Sequence, residues 1–141
     1  DHFKNYNDVN GHPAGDEALR QVGAILRESC RNTDVAARYG GEEFVVLCPG
    51  VRVDGGRVLA ERIRAAVAAY SFANREKQPL GFVSVSLGIA SFPEDGRSLK
   101  DVLVSADLAV YASKNSGRNR VSIYREIRSE IPENMISKKV A

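Results

Sequence analysis

From Phe82 to Ala90 the chain alternates without a break, Val83, Val85, Leu87 and Ile89 against Ser84, Ser86, Gly88 and Ala90. Successive strand side chains point to opposite faces, so this spacing predicts a strand with one apolar face and one face almost without bulk. A helix can lie close over a face of serine, glycine and alanine. The segment therefore calls for a sheet with a helix packed near its backbone.

A second sheet element is written as a hairpin. Val35-Ala36-Ala37 and Phe44-Val45-Val46-Leu47-Cys48 flank Arg38-Tyr39-Gly40-Gly41-Glu42-Glu43. Adjacent glycines take turn conformations without a Cβ clash and leave the backbone open to a large ligand. Glu42 and Glu43 place two carboxylates directly after the turn, oxygen ligands suited to a hard divalent cation such as Mg²⁺. An ordinary solvated acidic turn has the same letters, so the motif alone does not decide.

Around these strands the apolar residues fall at helical spacing. Ala18, Leu19, Val22, Ile25 and Leu26 mark a helix over Asp16 to Arg31, with acids read into its first turn and Arg27 and Arg31 near its end. Pro49 to Gly56 reads as a loop, and Leu59, Ile63, Ala66, Val67 and Tyr70 mark a second helix. Ser98 can cap a third, carrying Leu99, Val102, Leu103, Ala106, Ala109 and Val110. Val121 to Tyr124 reads as a last strand. Phe3 to Asn10 is polar and is broken by Asn10-Gly11-His12-Pro13, and the tail from Arg125 has no clear period, so a frayed terminus is expected there.

This order predicts an α+β fold, a central, mostly antiparallel sheet flanked by helices. Four strands are few for three long helices, and a further strand just before Asp1 is expected to complete the sheet. At 141 residues the chain fits one domain. Its net charge of +2 gives no argument for nucleic acid. No apolar run is long enough to span a bilayer, and the first residues do not read as a signal peptide. Cys30 and Cys48 read as buried free thiols of a cytoplasmic protein, and two histidines without a Cys-x-x-Cys argue against zinc.

Several short motifs occur in a fixed order: Asp1-His2-Phe3-Lys4, Asn7-Asp8, Gly11-His12-x-x-Gly15-Asp16, Arg31-x-x-Asp34, Arg38-Tyr39-Gly40-Gly41-Glu42-Glu43-Phe44, the Ser84 to Ala90 strand, and Ala106-Asp107 through Lys114-x-x-Gly117-Arg118-Asn119. This collinear set resembles the GGDEF domain of bacterial diguanylate cyclases over residues 1–124, leaving 125–141 as a charged tail. Glu42 stands where the family name has Asp and keeps the carboxylate.

The resemblance implies condensation of two GTP into cyclic di-GMP with release of two pyrophosphates, by a homodimer in which each subunit holds one GTP and uses Mg²⁺ or Mn²⁺. It assigns Glu42 as metal ligand and candidate base, with Glu43 beside it and Gly40 and Gly41 admitting the nucleotide. Phe3 and Lys4 mark backbone near the β- and γ-phosphates, Asn7 and Asp16 read guanine, and Lys114 and Arg118 face phosphates. On residue chemistry alone, Asp16 could equally serve a helix N-terminus, and Lys114 with Arg118 a basic helix C-terminus. A further metal-binding Asp of the family falls two residues before Asp1, so residues 1–141 by themselves are expected to be inactive or nearly so.

Arg31 and Asp34 match the family's inhibitory Arg-x-x-Asp site for cyclic di-GMP, with Arg62 as a further guanidinium. Planar guanidinium groups suit phosphates and guanine edges. The alternative function is a catalytically degenerate module that senses GTP or cyclic di-GMP. No nucleic-acid partner or membrane contact is implied.

Overall fold

The computed structural model describes residues 1–132 and 135. Helix α1 (Phe3–Asn10) leads through Gly11 into α2 (His12–Ser29). The hairpin strands β1 (Val35–Arg38) and β2 (Phe44–Leu47) follow, then α3 (Val53–Ala69), β3 (Leu87–Ile89), α4 (Leu99–Asn115), β4 (Val121–Ile123) and the short α5 (Tyr124–Ile127).

The expected hairpin is antiparallel, with Arg38 opposite Phe44 and Val35 opposite Leu47. Strands β3 and β4 pair in parallel, Leu87 opposite Val121 and Ile89 opposite Ile123. Among the described residues the strands thus form two separate pairs, one antiparallel and one parallel, rather than one continuous sheet. Both pairs nevertheless share a core. Val22, Ile25 and Leu26 of α2 and Ile63 and Val67 of α3 are buried against Ala36, Phe44 and Val46 of the hairpin and Val83, Val85 and Leu87 of the third strand segment.

The alternation from Phe82 yields a ladder only at Leu87–Ile89, because only this part meets β4. Residues 83–86 have no strand partner among the described residues. The carbonyl of Ser84 instead accepts from the main-chain nitrogen of Asp1 at 2.8 Å. The small face behaves as expected: a Cβ built on Gly88 would lie 2.1 Å from the carbonyl oxygen of Ala106 and 2.5 Å from the nitrogen of Val110. Helix α4 therefore rests directly on the strand backbone, while α2 and α3 cover the opposite face. Ser98 caps α4, its hydroxyl accepting from the Asp101 amide at 3.2 Å.

Several boundaries differ from the sequence reading. The polar segment at Phe3–Asn10 is a helix, anchored by Tyr6, which is 4% exposed. Helix α2 begins at His12, four residues before Asp16, with Pro13 in its first turn and no acid there. Proline in a first helical turn starts a helix, since its missing N–H would have had no partner anyway. Gly55 and Gly56, read as loop, lie inside α3. The tail beyond Tyr124 continues as α5 and a 3₁₀ turn over Arg128–Glu130, and Ile131 is buried at 8% exposure. Ion pairs of Arg57 with Glu126 and Arg125 with Asp95 fasten it to the domain. The remainder of the tail, residues 133, 134 and 136–141, lies outside the described residues.

Candidate active-site cleft and a second arginine site

A cleft of about 620 Å³ opens between α1 and the tip of the hairpin, lined by Phe3, Lys4, Asn7, Asp8, His12, Gly41, Glu42 and Glu43. Two distant stretches meet here because α1 packs on α2 and α2 packs on β1. Of the sequence-predicted residues the cleft gathers six: Phe3, Lys4, Asn7, Gly41, Glu42 and Glu43.

The acidic turn is held from beneath. Tyr39 N donates to Glu43 O at 2.8 Å and Gly40 N to the same oxygen at 3.3 Å. Arg38 folds over the tip, its Nε donating to Gly41 O at 3.1 Å and to Gly40 O at 3.3 Å, with Nη2 also on Gly41 O. A guanidinium on two adjacent carbonyls fixes the backbone that presents Glu42. Gly40 lies under the side chain of Glu43, whose Oε2 would be 3.0 Å from a Cβ at that position.

Across the cleft, Asn7 sits on the first turns of α2. A Cβ on Gly15 would fall 1.8 Å from Asn7 Oδ1 and 3.1 Å from the Phe3 ring, so only glycine lets this side chain lie there. Asn7 Oδ1 is buried without a hydrogen-bond partner among the described residues. A buried acceptor left unpaired is costly and signals a group kept for something other than the fold.

Asp16 is exposed in α2, one residue from Gly15, and is not part of the cleft lining. Because α2 starts at His12, Asp16 lies in the second turn, where a dipole role has largely faded. Lys114 ends α4, and Arg118 follows in a left-handed conformation at φ 61°. Both are half-buried outside the cleft lining, and neither side chain makes a hydrogen bond or ion pair among the described residues. Burial lowers the pKa of the His2 imidazole, with Arg118 contributing.

Among the described residues no group of three His, Cys, Asp or Glu side chains is placed to hold a metal ion. Mg²⁺ is commonly held by one or two carboxylates together with substrate phosphates. Glu42 with Glu43 beside it supplies carboxylates of that kind, and among the described residues no larger cluster adds to them.

A separate cluster lies at the end of α2. Arg31 Nη2 donates to Asp34 Oδ1 at 2.8 Å, Nε reaches both carboxylate oxygens, and Arg31 N donates to Oδ2 at 2.8 Å. Hydrogen bonds from Arg31 hold the Asp34 carboxyl below the usual carboxylate range. Arg62 bonds the Ser29 carbonyl, and its charge acts on Asp34 in the same direction. Cys30 and Cys48 flank this cluster as free, half-buried thiols, both raised chiefly by burial and further by Asp34. Arg31, Asp34 and Arg62, separated in the sequence, thus come together at this end of α2.

Sequence reading singled out neither Asp8 nor His12 for the site, nor the clamp by Arg38. Asp8 and His12 stand inside the Asn7-Asp8 and Gly11-His12 motifs, and Arg38 immediately precedes the turn, so adjacency was the available signal.

Fold and site together define a helix-flanked α+β domain with an acidic, glycine-backed hairpin facing a nucleotide-sized cleft. The family model "Diguanylate cyclase, GGDEF domain" matches residues 1–120, and the chain belongs to that family. It is 43% identical over 123 residues to Diguanylate cyclase A of Treponema denticola, covering 87% of this chain but 33% of that protein. The chain thus spans about a third of that curated relative. The GGDEF domain of DgcB from Caulobacter crescentus, solved in complex with c-di-GMP, superposes with a TM-score of 0.78 at 38% identity, covering 89% of this chain and 73% of that one. The active GGEEF domain of a diguanylate cyclase from Vibrio cholerae gives a TM-score of 0.78 at 30% identity over 88% and 77% of the two chains.

Among the described residues no helix is long and apolar enough to cross a membrane.

Proposed function

We propose that the protein carrying this domain is a diguanylate cyclase, joining two GTP molecules into cyclic di-GMP with loss of two pyrophosphates. The observation that carries this reading is the meeting of Glu42 and Glu43 with Phe3, Lys4 and Asn7 around one cleft of about 620 Å³. Asn7 presents an amide to the guanine edge, and Asp16 accepts from the guanine N1 and N2 hydrogens, which adenine does not offer. The backbone at Phe3 and Lys4, with Lys114 and Arg118, takes the β- and γ-phosphates. Gly40 and Gly41 let the nucleotide approach the turn that Arg38 holds.

In each half-reaction the 3′-oxygen of one nucleotide bonds to the α-phosphorus of the other as the bond to pyrophosphate breaks, and the hydroxyl proton leaves to a base. Glu42 stands where that proton and the divalent ion must both be managed. Bound Mg²⁺ or Mn²⁺, held by Glu42 and the phosphates, would lower the hydroxyl pKa and offset phosphate charge. Each cleft holds one GTP, so two copies of the domain must face each other. Arg31, Asp34 and Arg62 form a second site, where the product binds and selects an arrangement in which the two GTP sites cannot meet.

The second reading, a sensor that binds nucleotide without turnover, is supported by the placement of Asp16, Lys114 and Arg118 outside the cleft lining. Residues 1–141 alone turn over GTP weakly or not at all, because the further metal-binding Asp that the family resemblance implies falls two residues before Asp1.

Chromatography of reactions containing the full-length protein, GTP and Mg²⁺ decides between the readings. Cyclic di-GMP should accumulate and should vanish in Glu42→Ala. Absence of product at high protein and GTP concentration would leave the sensor in its place.

A further inference from the structure

We infer that Asp1 is a positioning residue for the phosphate-side cations: its carboxylate ties the turn carrying Arg118 to the segment that opens the cleft. This rests on the nucleotide-site reading above. One oxygen of Asp1 accepts from the hydroxyl of Ser84 at 2.8 Å and from the main-chain nitrogen of Asn119 at 3.3 Å, and the other accepts from the hydroxyl of Ser86 at 2.7 Å. Three donors from two distant parts of the chain thus converge on one carboxylate, and none of them is a cation.

The turn it holds is conformationally unfavourable. Arg118 and Asn119 are consecutive left-handed residues, φ 61° and 45°, and neither is glycine. Such a pair persists only where the surroundings impose it. Two further contacts help to hold it. Arg118 N bonds Ser113 O at 3.0 Å, and Arg64 Nη1 donates to Asn119 Oδ1 at 3.1 Å. Of these three bonds only the one to Asp1 connects the turn to the cleft, because Asp1 lies two residues before Phe3 and His2 between them is itself left-handed at φ 54°.

The turn that Asp1 holds carries Arg118 and directly follows the end of α4, where Lys114 lies, so its placement sets where both cations stand. Hydrogen bonds supply the position, so an amide should serve nearly as well as a carboxylate. An asparagine oxygen can accept from Asn119 N and Ser84, while its NH₂ donates to a turned Ser86 hydroxyl.

The test compares affinities of the full-length protein for GMP and for the non-reacting analogue α,β-methylene-GTP, by calorimetry with Mg²⁺. Wild type should prefer the triphosphate at least tenfold. Asp1→Ala should lose most of that preference with GMP affinity unchanged, and Asp1→Asn should retain it. Wild type without a preference would overturn the nucleotide-site reading and the role of Asp1 with it. If wild type shows the preference and a folded Asp1→Ala keeps it, or loses GMP and analogue binding in equal proportion, the positioning role alone is refuted. Should Asp1→Ala fail to fold, Ser86→Ala removes one of the three donors, and an undiminished preference in that variant would refute the proposal.

Discussion

Arg31 and Asp34 close on each other through both guanidinium and main-chain nitrogen, leaving the Asp34 side chain 1% exposed and the Arg31 side chain 54% exposed. The aspartate orients the arginine through Nε and Nη2, Nη2 also reaches the Pro49 carbonyl at 3.3 Å, and the exposed remainder of the planar group is left for a ligand. Product binding is therefore expected to depend more on Arg31 than on the carboxylate. Calorimetry with cyclic di-GMP should show that Arg31→Ala loses most product affinity while α,β-methylene-GTP still binds. Equal product affinity in both proteins would move the inhibitory site elsewhere.

The same pair sets a pH window. The folded carboxyl of Asp34 is lowered, so its contribution is complete above the unfolded value, about 3.9, and fades as pH falls through the folded value. Thermal melts of wild type and Asp34→Asn should differ by a constant amount from pH 7 to about pH 5 and converge only in stronger acid. A difference that disappears between pH 6 and 5 would assign the stabilisation to another group.

Gly88 sets the distance between α4 and β3. With backbone atoms of Ala106 and Val110 at 2.1 and 2.5 Å from a would-be Cβ, no side-chain rotation makes room. Gly88→Ala should destabilise the domain by about 1–3 kcal/mol, the usual cost of overpacking. For comparison, Leu108→Ala, at 1% exposure on the same helix, should cost about 2–5 kcal/mol through a cavity. Urea denaturation read by circular dichroism measures both.

What could be read from the letters was what depends on period and turn chemistry. The hairpin and the Ser98 cap of α4 follow from paired glycines between two apolar runs and from a hydroxyl before an apolar stripe. Helix α1 escaped because it buries only Tyr6 and is otherwise polar, although Phe3, Tyr6, Asn7 and Asn10 share helical spacing. Gly55 and Gly56 suggested a loop, but a Cβ on Gly56 would sit 3.7 Å from Ile89, so packing on β3 outweighs helix propensity there. The tail looked unstructured because its few apolar residues show no clear period, and the burial of Ile131 is a tertiary contact. Asp8 and His12 reach the cleft from either side of the bend at Gly11, and their adjacency to Asn7 and Gly11 in the short motifs was the signal that could have found them.

Purine selectivity tests Asp16 apart from the cleft wall. If Asp16 accepts from guanine, facing adenine would leave its carboxylate without donors and opposite the N1 acceptor. Asp16→Ser should then narrow the preference for GTP over ATP by tenfold or more in competition binding. Full discrimination in the variant would place guanine reading on Asn7 or elsewhere.

Gly15 offers a prediction in which stability and binding move apart. An added methyl would overlap Asn7 Oδ1 at 1.8 Å, yet the obstacle is a side chain that can rotate away. Rotation would also release the unpartnered Oδ1 into water. Alanine is favoured over glycine inside a helix by about 1 kcal/mol, and Gly15 lies within α2. The second near contact, 3.1 Å to the Phe3 ring, asks for only a small shift. Gly15→Ala should therefore melt no lower than wild type. If Asn7 reads the guanine edge as proposed, displacing it should lower affinity for α,β-methylene-GTP at least tenfold and leave cyclic di-GMP binding at the proposed Arg31 site unchanged. Differential scanning fluorimetry and calorimetry on one preparation give both quantities. Unchanged nucleotide affinity in a folded Gly15→Ala would show that Asn7 does not read the base.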